Sequence, residues 1–284
     1  MPIFGRGADG GPRRGLPLGR LVIALIIAGG SVVTYLARTT TNPVTGEKQH
    51  VSLSVNQEIA LGLESVADME RQFGGVDPDP QRGALVEAVG KRIVGAIPKA
   101  GDVYPFTFHL LADRQTINAF ALPGGPVFIT RALLDRLKTE GQLAAVLGHE
   151  VGHVVQRHSA EQIAQAQLRQ GITGAVAVGA YDPDHPGSSR NIAIAASVAA
   201  QLAGLKYSRT DELEADREGI RNMVAAGYDP RAMLGLMKIL AQASEGGRTP
   251  EFLATHPSPE NRLERIQGLI AELYPSGVPA GLRE

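Results

Sequence analysis

Residues 21–37, LVIALIIAGGSVVTYLA, form an uncharged and largely apolar run. Such a run leaves a chain few choices of where to put it. As a helix its seventeen residues span about 25 Å, near the short end of what crosses a bilayer. It is apolar on all sides, and the Gly-, Pro- and Arg-rich residues before it cannot pack over it, which argues against a buried core helix. Arg6, Arg13, Arg14, Arg20 and Arg38 face Asp9 alone within residues 1–38, giving +4 there and −5 over the remaining 246 residues. The positive-inside rule therefore puts the leader in the cytoplasm and the rest of the chain on the far side. The run reads as an uncleaved anchor. A cleaved signal peptide is the alternative, with Ala28-Gly29-Gly30 the better cleavage site.

The rest has the composition of a globular domain. Over the whole chain, 43% of residues are hydrophobic and 20% charged, which excludes wholesale disorder. With no cysteine, disulfide frameworks, thiolate metal sites and cysteine nucleophiles are excluded. A formal net charge of −1 gives no basic excess for nucleic acid. The expected organisation is a basic leader over 1–20, the anchor over 21–37, a polar linker over 38–53 (Thr-rich, with Pro43 and Gly46), a domain over 54–275 and a tail over 276–284.

Within the domain, Ser54 with Gln57 three residues on predicts a capping box, and DPDP at 77–80 opens a second helix ending near Pro98. Residues 104–111 read as a strand, and 117–122 with 127–129 as a strand pair joined by the turn Pro123-Gly124-Gly125-Pro126. A short helix over 130–138 leads to Thr139, which caps a new helix with Gln142 behind it. The apolar runs 171–180 and 192–205 are short for membrane spans and predict buried helices or a hydrophobic hairpin around a turn-rich loop. Helices follow over 230–244 and 258–273. The fold class is α+β, mostly helical, with a small antiparallel sheet and one N-terminal transmembrane helix.

The sharpest chemical feature is His149-Glu150-Val151-Gly152-His153. On a helix, i and i+4 share a face, so both imidazoles reach one metal ion. Glu150 is turned onto the apolar stripe of Leu143, Val146, Leu147, Val151, Val154 and Val155, where a lone carboxylate is costly without a partner such as a metal-bound water. Gly148 and Gly152 weaken the helix by about 1 kcal/mol each, a cost that makes sense where another backbone comes close. Downstream, YSRTDELEADREG at 207–219 puts Glu212 and Asp216 four apart. Glu212 completes two histidines and a carboxylate, with a fourth position left for water. Asp216 is placed to hold a ligating histidine by its other ring nitrogen. Glu214 points away, as a surface acid or packing partner.

With these motifs in hand, the chain resembles the membrane-associated neutral zinc metallopeptidases of the HtpX and CaaX prenyl endopeptidase type, and within them the bacterial periplasmic quality-control proteases. The resemblance covers residues 40–270. It rests on HEVGH at 149–153, SRTDELEAD at 208–216, NAFALPGGPVFIT at 118–130 and THPSPENRLERI at 255–266. It implies a zincin-like domain of the gluzincin group with one zinc ion held by His149, His153 and Glu212, and Glu150 as general base for zinc-bound water. It implies an edge strand for substrate, carried by Asn118, Ala119, Phe120, Ala121, Gly124 and Gly125. His256 lies in the last motif and is assigned to the cleft, stabilising the oxyanion or contacting zinc. Arg209 is placed beside Asp216 or at the oxyanion, and Arg262 in a structural ion pair. His158 reads as solvated, and His50, His109 and His185 carry no partner pattern. HtpX-type members cross the membrane several times, whereas residues 21–37 are the one convincing span here. The chain also leaves no room for the helical repeats some periplasmic relatives append, so adaptor-like binding through them is not expected.

The expected function is a membrane-anchored endopeptidase acting on unfolded or misassembled proteins on the periplasmic side of a bacterial inner membrane. Its partners are a protein or peptide substrate and the membrane, with no nucleic acid, and its oligomeric state is left open. The alternative from another class is an anchored chaperone-like or assembly factor whose zinc site is latent. A zinc hydrolase acting on a non-peptide bond is the third.

Overall fold

The segments predicted from caps form where the caps place them. A computed structural model describes residues 18–180, 206–245, 249–257 and 261–284 of the chain. Contacts divide it into two units, one of Met1–Ala37 with Gln165–Ile194, the other of Arg38–Ala164 with Ala195–Glu284.

In the first unit, α1 (Leu18–Ala37) is a helix of 20 residues with no buried residue, long and apolar enough to cross a bilayer. The apolar run predicted over 171–180 is the last part of a longer helix, α7 (His158–Ala180). The second run, at 192–205, the loop with His185 and the start of the last predicted helix lie outside the described residues.

The second unit begins with β1 (Thr39–Thr41) and β2 (Lys48–His50), an antiparallel pair where a polar linker was expected. This segment is docked, because its polar side chains meet backbone left over at a helix end. Asn42 donates to the Val155 carbonyl at 2.8 Å and Gln49 to the Gln156 carbonyl at 2.5 Å, both buried. The expected tail is also held: Arg283 N donates to Gly227 O, and Asp229 N to Arg283 O.

Helix α2 (Val55–Gln72) starts at the reciprocal Ser54–Gln57 capping box, and α3 (Pro80–Gly95) starts with Asp79 as N-cap and Pro80 in its first turn. After a single turn, α4 (Ala100–Val103), come β3 (Thr107–Leu111), β4 (Ala119–Ala121) and β5 (Pro126–Thr130). The sheet order is β3-β5-β4, so β4 is an edge strand. The sheet is mixed, not purely antiparallel. β4 and β5 form the predicted hairpin, but β3 runs parallel to β5. Parallel pairing leaves no turn signal in the sequence, which is why pattern reading missed it.

Then follow α5 (Arg131–Leu134), α6 (Glu140–Val155), α8 (Arg209–Ala225), α9 (Ala232–Ser244), α10 (Glu251–Thr255) and α11 (Arg262–Leu273). Thr139 caps α6 through Gln142 N, as its spacing predicts. Helix α6 is buried almost from end to end and forms the centre of the unit. The main core gathers α3, the sheet, α6, α9 and α11, and a smaller cluster of Met69, Phe73, Leu111, Phe120, Leu122 and Phe128 lies between α2 and the sheet.

The hairpin tip is part of that packing. Gly124 has φ +80°, and a side chain there would overlap the Ile59 backbone of α2; one at Gly125 would crowd Phe106. Both glycines are thus required by the packing of the hairpin tip. On the other side of this contact, a methyl at Gly62 would overlap the Pro123 carbonyl. Replacing Gly62 with Ala should destabilise the protein by about 2 kcal/mol, the usual cost of overpacking. Gly268, exposed in the middle of α11 with open space around it, should respond to Ala in the opposite sense, gaining about 1 kcal/mol in helix propensity. Thermal melting of the two variants checks the signs.

Candidate metal centre

Small residues bring two helices close enough to share a metal site. A Cβ at Gly152 would stand 3.1 Å from the Ala215 carbonyl oxygen, and one at Gly148 would stand 3.5 Å from that of Gly219. Helices α6 and α8 therefore meet nearly backbone to backbone. Helix α8 starts at a capping box in which Ser208 and Asp211 satisfy each other's backbone donors. Its first turns then present Glu212 and Asp216 to the two histidines of α6.

His149, His153, Glu212 and His256 each contribute one donor atom, all within 4.8 Å of one another and all buried. His153 Nε2 is 3.1 Å from His149 Nε2 and 3.4 Å from Glu212 Oε1. His149 Nε2 lies 3.5 Å from Glu212 Oε2. His256, just after α10, brings Nδ1 to 2.9 Å from Glu212 Oε1 and 3.3 Å from His149 Nε2. Its ring is set by stacking on Phe252, with centroids 4.5 Å apart. Tyr207 stacks on His153 at 3.8 Å and has its hydroxyl 3.0 Å from Ser159 Oγ.

A second shell of charge surrounds these donors. Asp216 Oδ1 lies 3.0 Å from His149 Nδ1, close in distance but out of line for a straight hydrogen bond. Arg262 donates to both oxygens of Asp216, at 2.7 and 3.0 Å, and lies 3.2 Å from Glu212 Oε2. Burial works against charging Asp216, yet Arg262 and His149 hold its pKa below the ordinary value. Glu212 is driven lower still, with His256 and His149 outweighing its burial. Burial likewise opposes protonating His149, but the Asp216 and Glu212 carboxylates carry its pKa up to about 9 when no metal is bound. His153 is pushed well below its usual range, mainly by burial.

Glu150 is fully buried, and neither of its oxygens has a hydrogen-bond partner. His256 Nε2 lies 3.5 Å from Glu150 Oε1 and is itself without a hydrogen-bond partner. Burial raises the Glu150 pKa, against the pull of His256 and His149. Orphaned buried groups of this kind are expensive and imply a missing partner. A donor set of imidazoles and a carboxylate at mutual contact distance fits zinc.

Two of the expected placements are corrected. Arg209 is exposed at the first residue of α8, and the guanidinium beside Asp216 and Glu212 is that of Arg262, 46 residues beyond Asp216. Sequence separation alone hid this pair. His158 is not solvated: it is buried against His153, and Glu214 pairs with it. Of the other histidines, His109 contacts Glu70 at 3.1 Å and His50 contacts Thr39 at 3.2 Å, both away from the cluster.

Asn118, Ala119, Phe120 and Ala121 are buried along β4. Thr130 N donates to Asn118 O, Leu122 N donates to Pro126 O, and Phe120 pairs with Phe128. By alternation, the backbone groups of Ala119 and Ala121 face away from β5. At the start of this edge, Ile117 O accepts from Phe252 N, the residue whose ring stacks on His256.

Comparison with known proteins supports the same chemistry. Residues 80–270 match the family described as Peptidase family M48. The chain is 32% identical over 263 residues to the beta-barrel assembly-enhancing protease of Escherichia coli (strain K12), covering 89% of this chain and 52% of that protein. It is 31% identical over 255 residues to the mitochondrial metalloendopeptidase OMA1 of Schizosaccharomyces pombe, covering 88% and 72%. The mitochondrial OMA1 metalloendopeptidase of Bos taurus is 31% identical over 251 residues, with 85% and 48% covered. The chain thus spans about half the length of the first curated relatives it matches.

Removing the Arg262 guanidinium takes away the buried cation that pairs with both Asp216 and Glu212, a change that costs about 3 kcal/mol or more. Arg262→Ala should therefore lower both the melting temperature and the zinc content measured by elemental analysis. Arg209→Ala should leave both as they are.

Proposed function

Because the chain belongs to Peptidase family M48, we propose that it is a zinc-dependent metalloendopeptidase that cleaves unfolded or misassembled proteins from a membrane-anchored position, with Glu150 as its proton-transfer group. One observation carries this reading: a fully buried carboxylate without hydrogen-bond partners stands beside a four-donor metal cluster.

His149, His153 and Glu212 would hold the ion. When bound, zinc acts as a Lewis acid toward the scissile carbonyl and lowers the pKa of water at the site to about 7. Glu150 takes a proton from the attacking water and delivers it to the leaving amine. Burial raises its pKa above the ordinary carboxylate value, which favours its holding the proton between the two halves of that task. His256, its Nε2 free of other partners and facing Glu150, is placed to donate to the oxyanion. Asp216 and Arg262 keep His149 in place. None of this chemistry requires a cysteine or serine nucleophile.

The edge of β4 away from β5, buried at Ala119 and Ala121 in this structure, is the surface proposed for substrate. The backbone groups at Ala119 and Ala121 can pair with an extended peptide, in the manner of strand addition. An extended strand is available in an unfolded or misassembled protein and not in a folded one, which is the physical basis for the proposed preference. Helix α1 supports membrane anchoring. The excess of arginine before it supports a domain on the periplasmic side of a bacterial inner membrane. The name of the Escherichia coli relative, a protease that enhances beta-barrel assembly, fits the same setting.

A second reading is favoured by His256 itself. Four protein donors close a zinc site, and closed sites are the structural kind. On that reading the protein is an anchored assembly factor whose site is latent or does not cut.

Glu150→Gln separates the two. The variant should keep one zinc per chain while its cleavage of unfolded casein falls by about 100- to 10,000-fold, the range of a lost general base. Parent protein that holds zinc but leaves casein intact would favour the second reading, and undiminished cleavage by the variant would overturn the role of Glu150.

A further inference from the structure

His149 and His153 both turn Nε2 toward the donor cluster, so each directs Nδ1 away from it. A histidine that binds metal through Nε2 keeps its proton on Nδ1, and that proton needs an acceptor. For His149 the neighbour is the Asp216 carboxylate. For His153 it is another imidazole: Nδ1 of His158, at 2.8 Å, in a position 1% exposed.

Two ring nitrogens at this distance share one hydrogen. If His153 donates it, His158 Nδ1 is bare and its own proton sits on Nε2. That nitrogen is 3.2 Å from Glu214 Oε2, a carboxylate 49% exposed. The hydrogen bonds therefore run in one direction, from His153 through His158 to Glu214. We propose that His158 is the positioning residue for His153, fixing its tautomer and ring orientation from behind, with Glu214 fixing His158 in turn. The proposal rests on the reading of His153 as a zinc ligand.

The backbone supports this role. Arg157, between α6 and α7, has φ +60°, a left-handed conformation that is uncommon outside glycine. It ends the metal helix and turns the chain so that its next residue faces back toward His153. The turn is locked by the buried Arg157 side chain, which donates through Nε to Glu58 at 3.0 Å and through a terminal nitrogen to the Leu53 carbonyl at 3.0 Å. Tyr207 covers the face of the His153 ring, while His158 engages its edge. Stacking restrains the tilt of the ring, and the hydrogen bond restrains its rotation. A histidine buried only for packing would not need both nitrogens directed, one to a ligand and one to a surface acid.

The test is zinc retention by the full-length protein in detergent, followed as transfer of the ion to a chromogenic chelator. His158→Leu removes the acceptor and should weaken retention by about 10- to 100-fold, the usual effect of losing a group behind a ligand. His158→Gln supplies an amide oxygen and should recover most of that loss, which a purely space-filling role would not predict. Glu214→Ala lies at a half-exposed position and should weaken retention several-fold, about 3- to 10-fold, without moving the melting temperature of the metal-free protein. If His158→Leu folds and holds zinc as tightly as the parent, the proposal fails. If it does not fold, Glu214→Ala decides, and unchanged retention in that variant overturns the proposal. A parent protein that loads no zinc overturns the metal reading itself, a distinct result because it appears before any variant is compared.

Discussion

The distance between α6 and α8 governs the centre of this protein. Two glycines on α6 face Ala215 and Gly219 on α8, with no room for an added methyl at Gly152 without displacing the Ala215 carbonyl. That contact costs helix propensity at two positions. In return, a short carboxylate at Asp216 and one a methylene longer at Glu212 reach imidazoles on the opposite helix. Larger side chains at the contact would move α8 outward and separate every donor pair at once. The metal site is thus a consequence of helix packing, and the ligands are only its visible part.

Close approach also concentrates charge. Glu150, Glu212 and Asp216 are all buried, and Arg262 is the one buried guanidinium among them. Three carboxylates against one fixed cation leave two negative charges in a medium that stabilises them poorly, which is the charge a dication neutralises. The metal-free site meets the same demand with protons. His149 is driven up to about 9, and the Glu150 pKa rises through burial.

Which parts of this were legible in the sequence follows from how local the determinants are. The caps at Ser54, Asp79 and Thr139 act over two or three residues and were read directly. The i, i+4 pairs His149/His153 and Glu212/Asp216 follow from helical geometry alone, and Gly148 and Gly152 beside the histidines point to a backbone neighbour. Arg262 was invisible as the partner of Asp216 because nothing in spacing distinguishes it from Arg209, which is nearer in sequence but exposed. Parallel pairing of β3 with β5 has no turn to announce it. The segment 38–53 looked like a linker because its side chains are polar. Polarity was the wrong criterion, since Asn42 and Gln49 are buried for the purpose of satisfying carbonyls at the end of α6.

That helix end shows how one residue can answer several demands. A helix that must stop and reverse usually does so at glycine, which adopts positive φ at no steric cost. Here the residue is Arg157, and the strain of its left-handed backbone has to be offset by its side chain. The guanidinium does this by reaching Glu58 of α2 and the Leu53 carbonyl, joining α2 and the segment before it to the last turn of the metal helix. Burial raises the Glu58 pKa and Arg157 works against that rise. Glycine would make the turn without making these connections. The choice of arginine therefore ties the turn behind His153 to the N-terminal part of its unit, through contacts with Glu58 and Leu53 far away in sequence.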